Sequence, residues 1–188
     1  MTHAPPLGTA AQLSKYTHAV LTQMASVVQP HLEKADQAYA LHLGAHMRHI
    51  IEHYDTLANA LAVSDVAALR PYVADYDARE RNLALETMPE VAMERIHKLM
   101  RMLTDLSTTT MERSVEVHTR GGLLGELDFK TVSSVARELM FLNSHATHHF
   151  AVMQAYAHQR GETLGAGVGK APATVAHERK QLCETAQA

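Results

Sequence analysis

The sequence predicts an all-α chain, an antiparallel four-helix bundle with a small β-hairpin before the last long helix and an irregular C-terminal tail. Three observations carry this expectation. Four long segments repeat apolar residues at three- and four-residue steps, the period of a helix with one buried face. Of the 188 residues, 46% are hydrophobic and 20% charged, enough for a core in one ordinary globular domain. One glycine-centred stretch, MERSVEVHTRGGLLGELDFKTV, switches to a period of two.

Thr9 precedes the first helical pattern, in which Leu13, Tyr16, Val20, Leu21, Met24, Val27 and Val28 form the apolar stripe and Pro30 marks the end. Residues 31–41 read either as a helical extension or as a connection, since Pro30 and Gly44 punctuate them. The second helix is expected over 42–62, followed by a loop over 64–74. DYDARERNLALE reads as a short helix with Asp77 as N-cap and Glu80 as its capping-box partner. Pro89 opens the third long helix, with Val91, Ile96, Leu99, Met100, Leu103 and Leu106 facing the core. Val115 and Val117 alternate before Gly121 and Gly122, and Leu127 and Phe129 alternate after them, as in a hairpin. Ser133 or Ser134 then caps the fourth long helix, which stops at Gly161. The Gly- and Ala-rich remainder is expected to be irregular surface, so the chain divides into a bundle over 1–162 and a tail over 163–188.

Charge and cysteine usage remove several classes of function. A formal charge of −3 and a pI near 6.5, with no basic block, leave no footprint for nucleic acid and no polybasic membrane anchor. The chain has no Trp, 3 Phe and 6 Tyr, which argues against base-stacking platforms. No segment approaches the ~18 uninterrupted apolar residues of a membrane span, and MTHAPPLG lacks the charged and apolar regions of a leader; the expected location is the cytoplasm. The single cysteine, Cys183, sits in a polar tail and offers neither a disulfide nor a thiolate metal site.

Histidine carries the chemistry. In RELMFLNSHATHHFAVM, His145 and His149 are four residues apart and therefore about 40° apart on the helix, one turn above the other, while His148 points to the flank. This is how one helix gives two imidazoles to one metal. The second helix carries His42, His46, His49 and His53 at steps of four, three and four, a stripe of imidazole. A single histidine on an apolar face is usually a core residue with satisfied ring nitrogens. Several on facing stripes leave many donors and acceptors to be satisfied at once, which favours coordination.

GAHMRHIIEHYDTL, DYDARERNLALE and VARELMFLNSHATHHFAVM together resemble the DinB/YfiT-like superfamily, metal-dependent four-helix-bundle proteins, over residues 40–160. The resemblance implies a divalent metal held by one second-helix histidine and an HxxxH pair of the last long helix. On its pattern the ligands match His49, His145 and His149, with His46 and His53 as competing second-helix candidates. It further implies a thiol-dependent transferase or isomerase that uses a low-molecular-weight thiol, and pairing into a homodimer, for which Met and Ala on the helix faces offer a surface.

Three neutral imidazoles leave coordination positions open, as in a catalytic site, and accept Zn²⁺, Ni²⁺ or Fe²⁺. Such a metal activates water for hydrolysis or holds a thiol as its thiolate, with a small molecule as substrate. Glu138, Glu52 and Asp75 are candidate acceptors for the outer ring nitrogens of the ligands. Arg48, Arg79, Arg81 and Arg137 are candidate anion binders, Arg79 and Arg81 being expected to be solvated or paired with Asp77 and Glu80. A di-iron carboxylate bundle needs two Glu-x-x-His motifs, and only Glu94 with His97 matches. The rival of another class is a non-catalytic metal-binding or stress-associated bundle, with a site closed by four protein ligands.

Overall fold

The computed structural model describes residues 8–33, 37–62 and 71–185, and the chain is predominantly helical, at 67%, with one small sheet. Four long helices do most of the packing: α1 (Thr9–Val28), α2 (Gly44–Ala62), α4 (Pro89–Leu103) and α6 (Val135–Gln159). Helix α1 packs on α4 and α6, and α2 packs on the same two. Their stripes meet in one core, with Leu21 and Met24 of α1, Ile50, Ile51 and Leu57 of α2, Ile96 and Leu99 of α4, and Leu139, Leu142 and Phe150 of α6 fully buried. A buried polar chain ties three of them, since Tyr54 Oη donates to Asn143 Oδ1 at 2.8 Å and Asn143 Nδ2 donates to Thr17 Oγ1 at 3.0 Å. The Arg95–Asp55 pair at 2.7 Å joins α4 to α2 at the partly exposed edge.

Helix boundaries follow local chemistry. Gln29–His31 is a 3₁₀ turn carrying Pro30, and a π-helical turn, Tyr39–Leu43, runs into α2. Of residues 31–41, His31 ends the first turn and Tyr39 to Leu41 open the second, with 34–36 outside the described residues. The Tyr39 hydroxyl donates to the Leu85 carbonyl at 2.7 Å, fastening the π turn to α3 (Leu83–Thr87). Ser134 caps α6 by accepting from the Arg137 amide, and Gly161, at φ 73°, closes the far end where its amide reaches the His158 carbonyl.

The predicted hairpin is present as β2 (Ser114–Gly121) and β3 (Leu127–Ser134), antiparallel, with Gly122 and Gly125 at positive φ in the turn. A short helix, α5 (Thr108–Glu112), capped by Ser107, leads into it, so the third long helix ends at Leu103 rather than running on through Ser107.

Three expectations are corrected. Part of the expected loop over 64–74 is a strand, β1 (Tyr72–Asp75), which pairs parallel with β2 through Tyr72↔Val115 to Asp75↔His118; residues 64–70 lie outside the described residues. The short helix does not start at Asp77. Its N-cap is Asn82, Arg81 takes φ 54°, a left-handed value that no helix interior holds, and Asp77 instead accepts from the Arg120 amide of β2. The tail is not irregular: Pro172–Thr185 is a helix, α7, which buries no residue. The segment before it is anchored, with Val168 7% exposed and Gly169 so close to the Ala151 backbone that a β-carbon would collide with it.

Candidate metal centre

Helices α2 and α6 lie side by side, and the imidazole stripe of one meets the HxxxH pair of the other. One ligand nitrogen from each of His49, His145 and His149 falls within 4.8 Å of the other two. His145 Nε2 and His49 Nε2 are 3.0 Å apart. Two nitrogens on a tetrahedral zinc, each at ~2.05 Å, stand about 3.3 Å apart, so this pair already has the required spacing. Ring centroids of His49 are 5.0 Å from His145 and 4.7 Å from His149. The three are half-buried, at the side of the core. His148 lies exposed on the flank, as its place on the helix requires.

The other two histidines of the α2 stripe join the cluster. His46 Nδ1 lies 2.9 Å from His149 Nδ1, and His53, 8% exposed, donates from Nδ1 to the His49 carbonyl at 2.7 Å. His53 stacks on Tyr76 with centroids 5.6 Å apart, and Phe141 stacks on His145 at the same separation of 5.6 Å. His42 forms no part of this cluster; it lines a cleft of about 300 Å³ with His46, Tyr156 and Arg160. His46 therefore stands between that cleft and His149.

Burial and crowding hold the cluster neutral. Desolvation lowers the His49 pKa to about 3, helped by His53, His149, His145 and Arg79. It lowers His145 and His149 each to about 4, with His53 and His145 respectively the largest charge effects. His46 and His53 shift down for the same first reason. Neutral imidazole is the form that coordinates a metal, so the donor set suits a divalent ion.

No carboxylate is hydrogen-bonded to His49, His145 or His149 among the described residues. Glu138 accepts from the Tyr76 hydroxyl at 2.8 Å, Glu52 from the Asn82 amide at 2.6 Å, and Asp75 from the Asp77 and Ala78 amides. Glu138 and Glu52 Oε1 thus hold the segment after β1 against α6 and α2, Asp75 closes the turn after β1, and Glu52 Oε2 is buried without a hydrogen-bond partner among the described residues. The Nδ1 of His149 faces another imidazole, His46, at 2.9 Å. For His49 the neighbour is Arg79, whose Nη1 lies 2.9 Å from His49 Nδ1 while its Nε donates to the Tyr76 carbonyl at 2.8 Å. Arg79 was expected to be solvated or paired with Asp77 and Glu80; the turn after β1 folds it inward instead. Arg48 pairs with Glu86 at 2.8 Å, and Arg81 and Arg137 are exposed. Tyr76 and Arg79 both follow β1, and the signal for that strand was YVADY, whose residues alternate buried and exposed up to Asp75.

No family model matches the sequence, and no solved structure matches it. Over 109 residues, 58% of the chain, it is 29% identical to FK506-binding protein 5 of Rhizopus delemar. The chain spans 28% of the length of that protein.

Proposed function

We propose that the chain is a divalent-metal-dependent enzyme of the DinB/YfiT type, a four-helix bundle whose His49, His145 and His149 hold Zn²⁺, Ni²⁺ or Fe²⁺. The observation that carries this is the convergence of three imidazole nitrogens, from two helices, within 4.8 Å of one another. Bound there, the ion supplies a Lewis acid that activates a low-molecular-weight thiol for transfer, or water for hydrolysis, on a small-molecule substrate. The residues around it have definite tasks. His46 accepts the outer ring proton of His149, burial keeps the ligands unprotonated, and the rings of Phe141 and Tyr76 wall the cluster on the β1 side. The same reading places the protein in the cytoplasm as a homodimer.

The second reading is a non-catalytic metal-binding bundle, and His53 favours it. Its ring centroid is 4.3 Å from that of His49 and 4.8 Å from that of His145, beside the three-nitrogen group rather than within it, so that a shift of the ring would bring in a fourth ligand. Elemental analysis of protein purified without an affinity tag or chelator tests both. About one equivalent of transition metal per chain is expected, and none would end both readings. An exchangeable ligand on the metal, detected by a thiol-dependent change in the spectrum of a Co²⁺-substituted sample, distinguishes the enzyme from the closed site.

A further inference from the structure

Among the described residues, β3 is an edge of the sheet with no strand beyond it. The strand order is β1-β2-β3, β1 at the other edge packs on α2, and every residue of β3 from Leu127 to Val132 is exposed. The register explains the exposure. Thr131 stands opposite Val117 and Ser133 opposite Val115, and directly opposed residues share a face, so Leu127 and Phe129 lie on the face whose two valines are buried. The core covers β2 and stops there, leaving Leu127 48% and Phe129 45% exposed, while Val132 on the outer face is 78% exposed. This edge strand holds eight residues and neither proline nor glycine. Such an edge offers a row of backbone donors and acceptors beside apolar side chains, which pairs with another strand unless charge or a bulge prevents it.

The charges on β3 select the partner. Two copies of the strand can pair antiparallel about a two-fold axis normal to the sheet, and that axis passes through one residue opposed to itself. Centred on Asp128 or on Lys130, the pairing sets like charges face to face. Centred on Phe129, it sets Asp128 against the partner's Lys130 twice over, brings the two Phe129 rings together on one face and puts Leu127 beside the partner's Thr131. Asp128 already meets Arg120 of β2 at 3.2 Å, but both side chains are largely exposed, so the carboxylate stays open to a second cation. The same register carries the turn, with its almost fully exposed Leu123 and Leu124, next to the partner's Val132 and the stretch leading into its α6.

We infer that β3 is the contact of the homodimer, pairing antiparallel with β3 of a second copy about Phe129 and joining two three-stranded sheets into one. This rests on the homodimer of the reading above, moves its interface from the helix faces to the sheet edge, and does not depend on the metal.

The test is sedimentation equilibrium of the full chain, of Asp128→Lys and of Lys130→Asp, with far-ultraviolet circular dichroism of each. Both positions are exposed, so both variants should keep the wild-type helix content. Wild type should sediment at twice the 20.7 kDa chain mass. Each single variant sets two like-charge pairs across the axis and should raise the dissociation constant at least about tenfold. Mixed in equal amounts, the two variants face opposite charges again and should form a heterodimer of near wild-type affinity, as should the double variant Asp128→Lys/Lys130→Asp with itself. Wild type of single-chain mass at every concentration would overturn the inference together with the homodimer, and would leave the metal reading untouched. A dimer indifferent to both single substitutions would overturn the inference and put the homodimer on another surface. A mixture of the folded variants that stays monomeric, or assembly beyond two copies, would overturn it too, since the axis through Phe129 uses up the edge.

Discussion

At the scale of single residues, two histidines of one helix make opposite predictions. On the proposed metal reading, His149→Ala removes a ligand and should lower metal affinity by well over tenfold, because loss even of an outer partner of a ligand typically costs 10–100-fold. His148→Ala, exposed one position away, should leave metal content unchanged by elemental analysis. The depressed titration of the cluster sets a pH dependence. Above the unfolded histidine pKa of ~6.5 both states are neutral. As pH falls below it, the unfolded chain takes up protons while His49, His145 and His149 resist down to about 3, 4 and 4, so stability falls with falling pH. Urea midpoints of chelator-treated protein should therefore decline from pH 7 to pH 5, and His145→Gln should make the slope shallower. A flat midpoint in wild type would contradict the neutral cluster.

Elements are positioned by close approaches that single substitutions can break. Gly44, at the start of α2, has no room for a β-carbon, which would run into the Glu86 carbonyl of α3. Gly44→Ala should cost about 1–3 kcal/mol by overpacking, read as a lower denaturation midpoint with helix content retained. Because α3 and the turn before it carry Asn82 and Arg79 to the side of α2, the same substitution should loosen the Arg79 contact with His49. Strand β1 acts as the other positioning device. It places Tyr76 so that its ring covers His53 and its hydroxyl holds Glu138, linking the sheet to both ligand-bearing helices.

Across the whole molecule, the histidine cluster exists only where α2 and α6 are packed together, so binding of a metal there would be coupled to folding. Free zinc at 100 times its dissociation constant should add about 2.7 kcal/mol, or roughly 5–10 °C in melting temperature for a chain of this size. A melting temperature indifferent to added Zn²⁺, Ni²⁺ and Fe²⁺ would mean that the histidines are a packed cluster. Assembly is tested independently by light scattering, where a homodimer gives twice the 20.7 kDa chain mass and a monomer gives that mass at every concentration.

The four long helices, the hairpin and the facing histidines were legible in the sequence because each depends on local periodicity: apolar steps of three and four, alternation around Gly121 and Gly122, and the HxxxH spacing. The Ser134 cap and the Gly161 stop were readable for the same reason, being governed by residues within one turn of the helix end. What lay outside that reach was decided by contacts between segments far apart in the chain. DYDARERN carries a plausible capping pattern, yet β1 pairs with β2, about forty residues further on, and that pairing draws Asp77 to the Arg120 amide, leaving Asn82 to cap α3. Tertiary packing likewise made Arg79, and not a carboxylate, the neighbour of His49, and made His46 the partner of His149. Sequence spacing sets which side chains share a helix face, whereas the polar group opposite that face depends on where the rest of the chain returns.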